Sequence, residues 1–263
     1  MADRPTPHTL PAAAPLLGPA DPTPFILHRA VGTSPFVLIA DHAGQAIPAA
    51  LDDLGLPSGE IDRHIGWDIG IAGVMRALSA QLDAWAIEQV YSRLVIDCNR
   101  PLTSPTLMPA VSDGTRVGAN MAIAAEARQA RINAIHAPYH AAIASELDRR
   151  DAAGQRAVLI LLHSFTPVMN GYVRPWHCGV LYNRDTRLAH RLLHLLQAEG
   201  DLVVGDNQPY SISDDSDYAA NVHAEGRGLP YVEIEIRQDL IADAAGQAVW
   251  AARLARLLPA LLD

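Results

Sequence analysis

Short, wholly apolar runs alternate along this chain with longer amphipathic stretches, a pattern that predicts strands and helices in turn. Phe36-Val37-Leu38-Ile39-Ala40 leads into Asp41-His42, Leu94-Val95-Ile96 into Asp97-Cys98-Asn99-Arg100, and Val158-Leu159-Ile160-Leu161-Leu162 into His163-Ser164. Apolar runs of this kind read as strands buried on both faces, as in a mostly parallel sheet covered by helices. Ligands bind such sheets at the carboxyl ends of the strands. Three runs that end in polar, chemistry-bearing residues therefore predict a site at one sheet edge.

Tyr231-Val232-Glu233-Ile234-Glu235-Ile236-Arg237 follows a different rule. Period-two geometry puts Glu233, Glu235 and Arg237 on one face and Val232, Ile234 and Ile236 on the other. The alternation fits an edge strand with one solvated face. Alternation alone favours that reading; a catalytic carboxylate oriented by a neighbouring arginine is the sharper alternative, and local sequence does not separate the two.

Further strands are expected over residues 86–90, 178–182 and 202–205. Helices are expected within 62–82, with Asp68 near the first turn, and over 119–150 with a bend near Pro138, 186–198 and 242–262. Residues 101–109 are Pro-rich and predict a loop, as does the polar segment that runs through Asp217. With no internal repeat and no linker, this order predicts an α/β fold: a single three-layer αβα domain on a mostly parallel, mixed sheet. Residues 1–24, rich in Pro and Ala, predict a poorly ordered N-terminal arm, which leaves 25–263 as the catalytic domain.

Composition narrows the function. The net charge of −9, without any basic stretch, argues against a nucleic-acid partner. The chain has no lysine, which excludes a Walker-type phosphate loop, a Schiff-base lysine and a lysine general base. The cysteines, Cys98 and Cys178, both lie in apolar segments and form neither a disulfide framework nor a cysteine zinc site. The arm has no basic start and no long apolar centre, so no signal peptide is expected, and no stretch is long enough to span a membrane. A soluble cytoplasmic enzyme is the expectation.

His42 and His163 each follow a strand end, and neutral imidazole is a frequent metal ligand. A single histidine at such a place would read as a loop cap; two at equivalent ends suggest a shared metal. The Asn99-Arg100 pair between them suggests an anion clamp, since the planar guanidinium fork binds carboxylate bidentately.

His42-Ala43-Gly44, the run from Ser92 to Arg100, His163-Ser164, and Glu233 to Arg237 stand in an order that resembles the N-formylglutamate amidohydrolase family. The segments from Gly205 to Tyr210 and from Gly226 to Leu240 resemble it too, so the likeness extends from Phe36 to Leu240. That family is related to the zinc carboxypeptidases, whose Asp-x-Asn-Arg, His-Ser and Glu-Leu-Arg segments look like Asp97–Arg100, His163-Ser164 and Glu235–Arg237. The resemblance implies a zinc-carboxypeptidase-like fold and a zinc-dependent amidohydrolase. Its substrate would be a small anionic N-acyl amino acid, N-formyl-L-glutamate first, cleaved to glutamate and formate. It also implies His42 and His163 as ligands of one zinc ion, Asn99 and Arg100 as the substrate-carboxylate clamp, and Glu235 as general base. Arg93 matches no motif and is assigned to a second carboxylate or to the developing oxyanion.

The carboxypeptidase ligand pattern is His-x-x-Glu, and here the last position is Gln45, a poor zinc ligand. Asp68 is the expected third ligand, although a helix-dipole role would also explain it; Asp41 is the lesser candidate. Either Glu233 or Glu235 could serve as base. A deacylase or carboxypeptidase acting on another amide is the alternative enzyme, and a metal-poor binding homologue the alternative outside catalysis. His136/His140 and His190/His194 have zincin-like spacing, but His136 is not followed by Glu and Pro138 intervenes, while the amphipathic helix carrying His190 and His194 points to a surface or packing role. Ser164 lacks a nucleophile elbow, and no dinucleotide motif is present. Tyr210 and His223, in the late polar region, are candidates for a lid.

Overall fold

The structure, a computed structural model, describes residues 15–263. Its main sheet is built from Phe25–His28 (β1), Phe36–Ala40 (β2), Trp85–Gln89 (β3), Val158–Phe165 (β6), Cys178–Leu181 (β9), Val204–Asp206 (β10) and Tyr231–Arg237 (β11). Two small hairpins stand apart from it: Val111–Ser112 (β4) with Thr115–Arg116 (β5), and Val168–Met169 (β7) with Tyr172–Val173 (β8). The helices are Ile71–Leu82 (α1), Ala125–Arg131 (α2), Ala137–Ala152 (α3), Arg187–Ala198 (α4) and Ala244–Leu257 (α5).

The seven main strands run in the order β1-β3-β2-β6-β11-β9-β10. The pairs β2–β3, β2–β6, β6–β11 and β9–β10 are parallel, whereas β1–β3 and β9–β11 are antiparallel, so the sheet is mixed and mostly parallel. All residues of β2 and β6 are buried, which explains their unbroken apolarity. Alternate residues feed two cores. Leu38, Ile160, Leu162 and Ile234 pack with α1, α4 and α5 on one face. Val37, Ile39, Leu159 and Leu161 pack on the other with Ile143 and Leu147 of α3. This is the expected three-layer arrangement.

Two expectations are revised and one is sharpened. Leu94-Val95-Ile96 is not a strand. The Ser92 hydroxyl accepts from Leu94 N at 3.1 Å and the Ser92 carbonyl from Val95 N at 2.9 Å, which closes a turn. Its side chains are fully buried in the second core, so their apolarity reports burial and not extension. The alternating strand β11 is not at an edge: it lies between β6 and β9, with Glu233 and Glu235 both buried. The bend expected near Pro138 is a π turn over Ile132–His136, linking α2 to α3 immediately before the proline, which has no N–H for the fourth carbonyl back.

The expected N-terminal arm falls partly outside the described residues, at 1–14. Within its described part, Leu16 and Leu17 pack against the second core, and Asp21 accepts from Ala49 N at 2.9 Å. Among the described residues, no helix is long and apolar enough to cross a membrane.

Candidate metal centre and active site

His42 is delivered by the end of β2, two residues past Ala40, and Gly44 fixes the turn that follows. A Cβ at Gly44 would stand 2.0 Å from the Val90 carbonyl oxygen, so only glycine lets these segments approach so closely. Asp68 lies in the turn before α1, where its N–H donates to the His42 carbonyl at 2.9 Å. Gly70, at φ 84°, turns the chain from there into the helix. His163 comes from β6, and Glu235 is its register neighbour on β11. Backbone hydrogen bonds thus set all four positions.

His42, Asp68 and His163 converge, each buried, with one donor atom from each within 4.8 Å of the others. Asp68 Oδ2 lies 3.0 Å from His163 Nδ1 and 3.6 Å from His42 Nδ1, and accepts from Ser164 N at 3.1 Å. Burial opposes the Asp68 charge, but the two imidazoles more than offset it and hold its pKa below the ordinary carboxylate value. The donor set suits zinc, for which two histidines and a carboxylate are a familiar combination. His42 Nδ1 has no hydrogen-bond partner although it is buried, which a bound cation would satisfy. The opposite ring nitrogen, Nε2, is 2.7 Å from Asp97 Oδ1. Sequence reasoning gave Asp97 no role of its own, although it stood in the quoted motif.

Gln45, the residue that left the ligand set in doubt, is exposed and outside this group, which Asp68 completes. Asp41 is buried, with neither carboxylate oxygen hydrogen-bonded, and its Oδ2 is 3.9 Å from His163 Nε2. It stands outside the three-residue group.

The group opens on a cavity of about 500 Å³, lined also by Arg93, Arg100, Tyr210, Glu233 and Glu235. Burial pushes the Glu235 carboxyl up to about 7, with His163 opposing the shift, and leaves its Oε2 unpartnered. That value suits a group that must take and return a proton near neutrality. Burial also raises the Glu233 carboxyl, well above the ordinary value. Arg93 gives Nε and Nη2 to Asp97 Oδ2, at 3.1 and 2.7 Å, and its Nη1 is 3.6 Å from Asp68 Oδ1.

Asn99 lines the cavity too, buried, with both ends of its amide held. Its Nδ2 donates to Asp217 Oδ1 at 3.2 Å, and its Oδ1 accepts from Ala219 N at 3.1 Å. Arg100 donates to the Ser216 carbonyl, and its side chain stays about a quarter exposed, 24%, at the cavity wall. The tie from Asn99 to Asp217 spans 118 residues and leaves no local signal in the sequence. His64 and Asp113 also line the cavity and were not foreseen. Tyr210 lines it as well, whereas His223 is buried away from it. His190 and His194 are exposed on α4, and His136 and His140 are buried outside the metal group.

A hydrolase is the class that this fold and site define: a buried His-Asp-His group and an unpaired carboxyl of raised pKa at the strand ends of an α/β sheet. The family model for N-formylglutamate amidohydrolase matches residues 34–242, and the chain belongs to that family of amidohydrolases. Among solved structures, it is similar to the gene product Atu2144 from Agrobacterium tumefaciens, at 35% identity and a TM-score of 0.91, over 94% of this chain and 98% of that one. It also shares the fold of the N-formylglutamate amidohydrolase from Ralstonia eutropha JMP134, at 19% identity and a TM-score of 0.65, over 91% of this chain and 97% of that one. A search of the curated proteins gives no match.

Proposed function

We propose that this amidohydrolase is zinc-dependent and releases formate from N-formyl-L-glutamate. The observation that carries the reading is Glu235, a buried carboxyl raised to about 7, beside His163 of the convergent His42-Asp68-His163 group. Those three residues would hold one zinc ion, which when bound supplies Lewis acidity to water and to the acyl carbonyl.

Each remaining task falls to a residue of the chain. Arg100, at the cavity wall, binds a substrate carboxylate through its guanidinium. Asn99 contributes by fixing the backbone that carries Arg100. Glu235 takes a proton from the attacking water at its carboxylate and returns it to the leaving nitrogen. Arg93, held by Asp97, places positive charge near the carbonyl oxygen as negative charge develops on it. Asp97 holds the His42 ring in the tautomer whose Nδ1 is free for metal. A small anionic substrate fits an acidic chain because it responds to the arginines lining the cavity and not to the net charge.

Metal analysis of protein purified without chelator, paired with a formate-release assay across N-acyl amino acids, tests the reading. About one zinc per chain and preferential turnover of the N-formyl dicarboxylate are expected. Protein that neither retains nor responds to zinc, and releases no formate, overturns it.

A further inference from the structure

Three buried histidines stand outside the metal group and do not line the cavity: His136 in the π turn, His140 on α3, and His223 in the π-helical segment Ala219–Ala224. His140 Nε2 is 2.8 Å from the Cys98 carbonyl, and His136 Nε2 is 3.3 Å from the Arg100 carbonyl. A carbonyl can only accept, so both Nε2 atoms carry the hydrogen. A neutral His140 then has a bare Nδ1, which accepts from His223 Nε2 at 3.0 Å. The remaining His223 nitrogen, Nδ1, is buried without a partner. Each proton position follows from the one before it.

The carbonyl between these two is also held, since Asn99 O accepts from Tyr218 N at 3.2 Å. Three successive carbonyls, of Cys98, Asn99 and Arg100, are therefore each held by a hydrogen bond, two of them from imidazole. The rings of His140 and Tyr218 pack at 4.3 Å between centroids, which ties the same cluster to the segment that receives Asn99. No carboxylate lies within salt-bridge distance of any of the three histidines among the described residues, and they form no metal-binding group. What they grip is the backbone that aims Arg100 into the cavity.

We propose that His136 and His140 are positioning residues for the Arg100 carboxylate clamp, with His223 locking the His140 ring. The inference rests on the reading of Arg100 as the clamp. A clamp held by three fixed peptides keeps its direction when the cavity is empty, so substrate binding need not order it. Loss of the grip should weaken capture of the carboxylate and leave the distant proton transfer at Glu235 intact.

Steady-state kinetics on N-formyl-L-glutamate, with calorimetric binding of glutarate as a readout free of turnover, test this. His140→Ala and His136→Ala should each raise KM and the glutarate Kd about tenfold, with kcat within about twofold of the parent. His140→Gln, whose amide can donate to Cys98 and accept from His223, should recover most of the lost affinity. Arg100→Gln serves as the reference. A raised KM in Arg100→Gln with an unchanged KM in both histidine variants overturns the positioning role alone. An unchanged KM in Arg100→Gln overturns the clamp and this inference with it. A fall in kcat at constant KM marks a merely structural role and also overturns the proposal. His136→Ala, which removes a single longer bond, carries the test if His140→Ala does not fold.

Discussion

Asp97 Oδ1 lies 2.7 Å from His42 Nε2, on the side of the ring opposite the Nδ1 that faces Asp68. The same carboxylate accepts from Asn99 N at 2.9 Å and from Arg93, so one side chain orients a metal-group imidazole, an arginine and the start of the clamp backbone. Burial opposes its charge, yet Arg93 and His42 hold its pKa well below the ordinary value.

Asp97→Asn should therefore weaken metal binding by about 10–100-fold, the usual effect of losing an outer partner of a metal-bound histidine. Competition with a chromogenic chelator measures it, and an affinity equal to that of the parent would rule out the orienting role.

Glu235→Gln should lower kcat by about 10²–10⁴-fold while the glutarate Kd stays within error, because it removes a proton carrier and little volume. Glu233→Gln makes the same chemical change two residues away on the same face. Burial pushes the Glu233 carboxyl well above its ordinary value and so favours its neutral form, and a neutral isostere should change kcat by less than about threefold. If the two variants respond the other way round, the base is Glu233.

The buried histidines set an acid limit. Burial depresses the His223 pKa to about 4, and burial with His136 and His223 nearby holds the His140 pKa well below its ordinary value. Above the unfolded value of roughly 6.5 both states are neutral and pH has no effect through these groups. Below it the unfolded chain takes up protons that the folded chain refuses, so stability falls as pH drops toward 4, on the order of 3 kcal/mol for His223. His223→Gln should flatten the curve of Tm against pH between 6.5 and 4. An unaltered slope would place the acid sensitivity elsewhere.

Gly44→Ala tests the fit of the His42 loop. A methyl group there would meet the Val90 carbonyl at 2.0 Å, so one segment has to shift, at a cost of about 1–3 kcal/mol. Urea unfolding should register that loss, with weakened metal binding in parallel as His42 moves. Full stability and full affinity together would show that the contact yields freely.

How far the sequence could be read depended on whether a pattern was local. The strands β2, β6 and β11 declared themselves through local runs, though not the burial of both faces of β11, and they delivered His42, His163 and Glu235. Leu94-Val95-Ile96 carried the same signal and formed a turn, because apolarity is demanded by burial in any conformation. Asp68 was reached by resemblance and by its place before α1, not by spacing. The partners that hold Asn99 and Arg100, namely Ser216, Asp217 and the histidine cluster, come from segments far apart in the chain, and nothing short-range announces them.

The placement of β11 has a bearing on how this enzyme can change. Strands pair with it on both sides, so the Glu235 backbone has no free edge along which to slip or adjust. The cavity rim is made differently: Ser112 and Asp113 come from one small hairpin and Met169 from the other, both outside the main sheet. Mutations in those hairpins can reshape what the cavity admits without disturbing the reacting groups. Substrate preference in this scaffold is thereby free to diverge while the hydrolytic step stays the same.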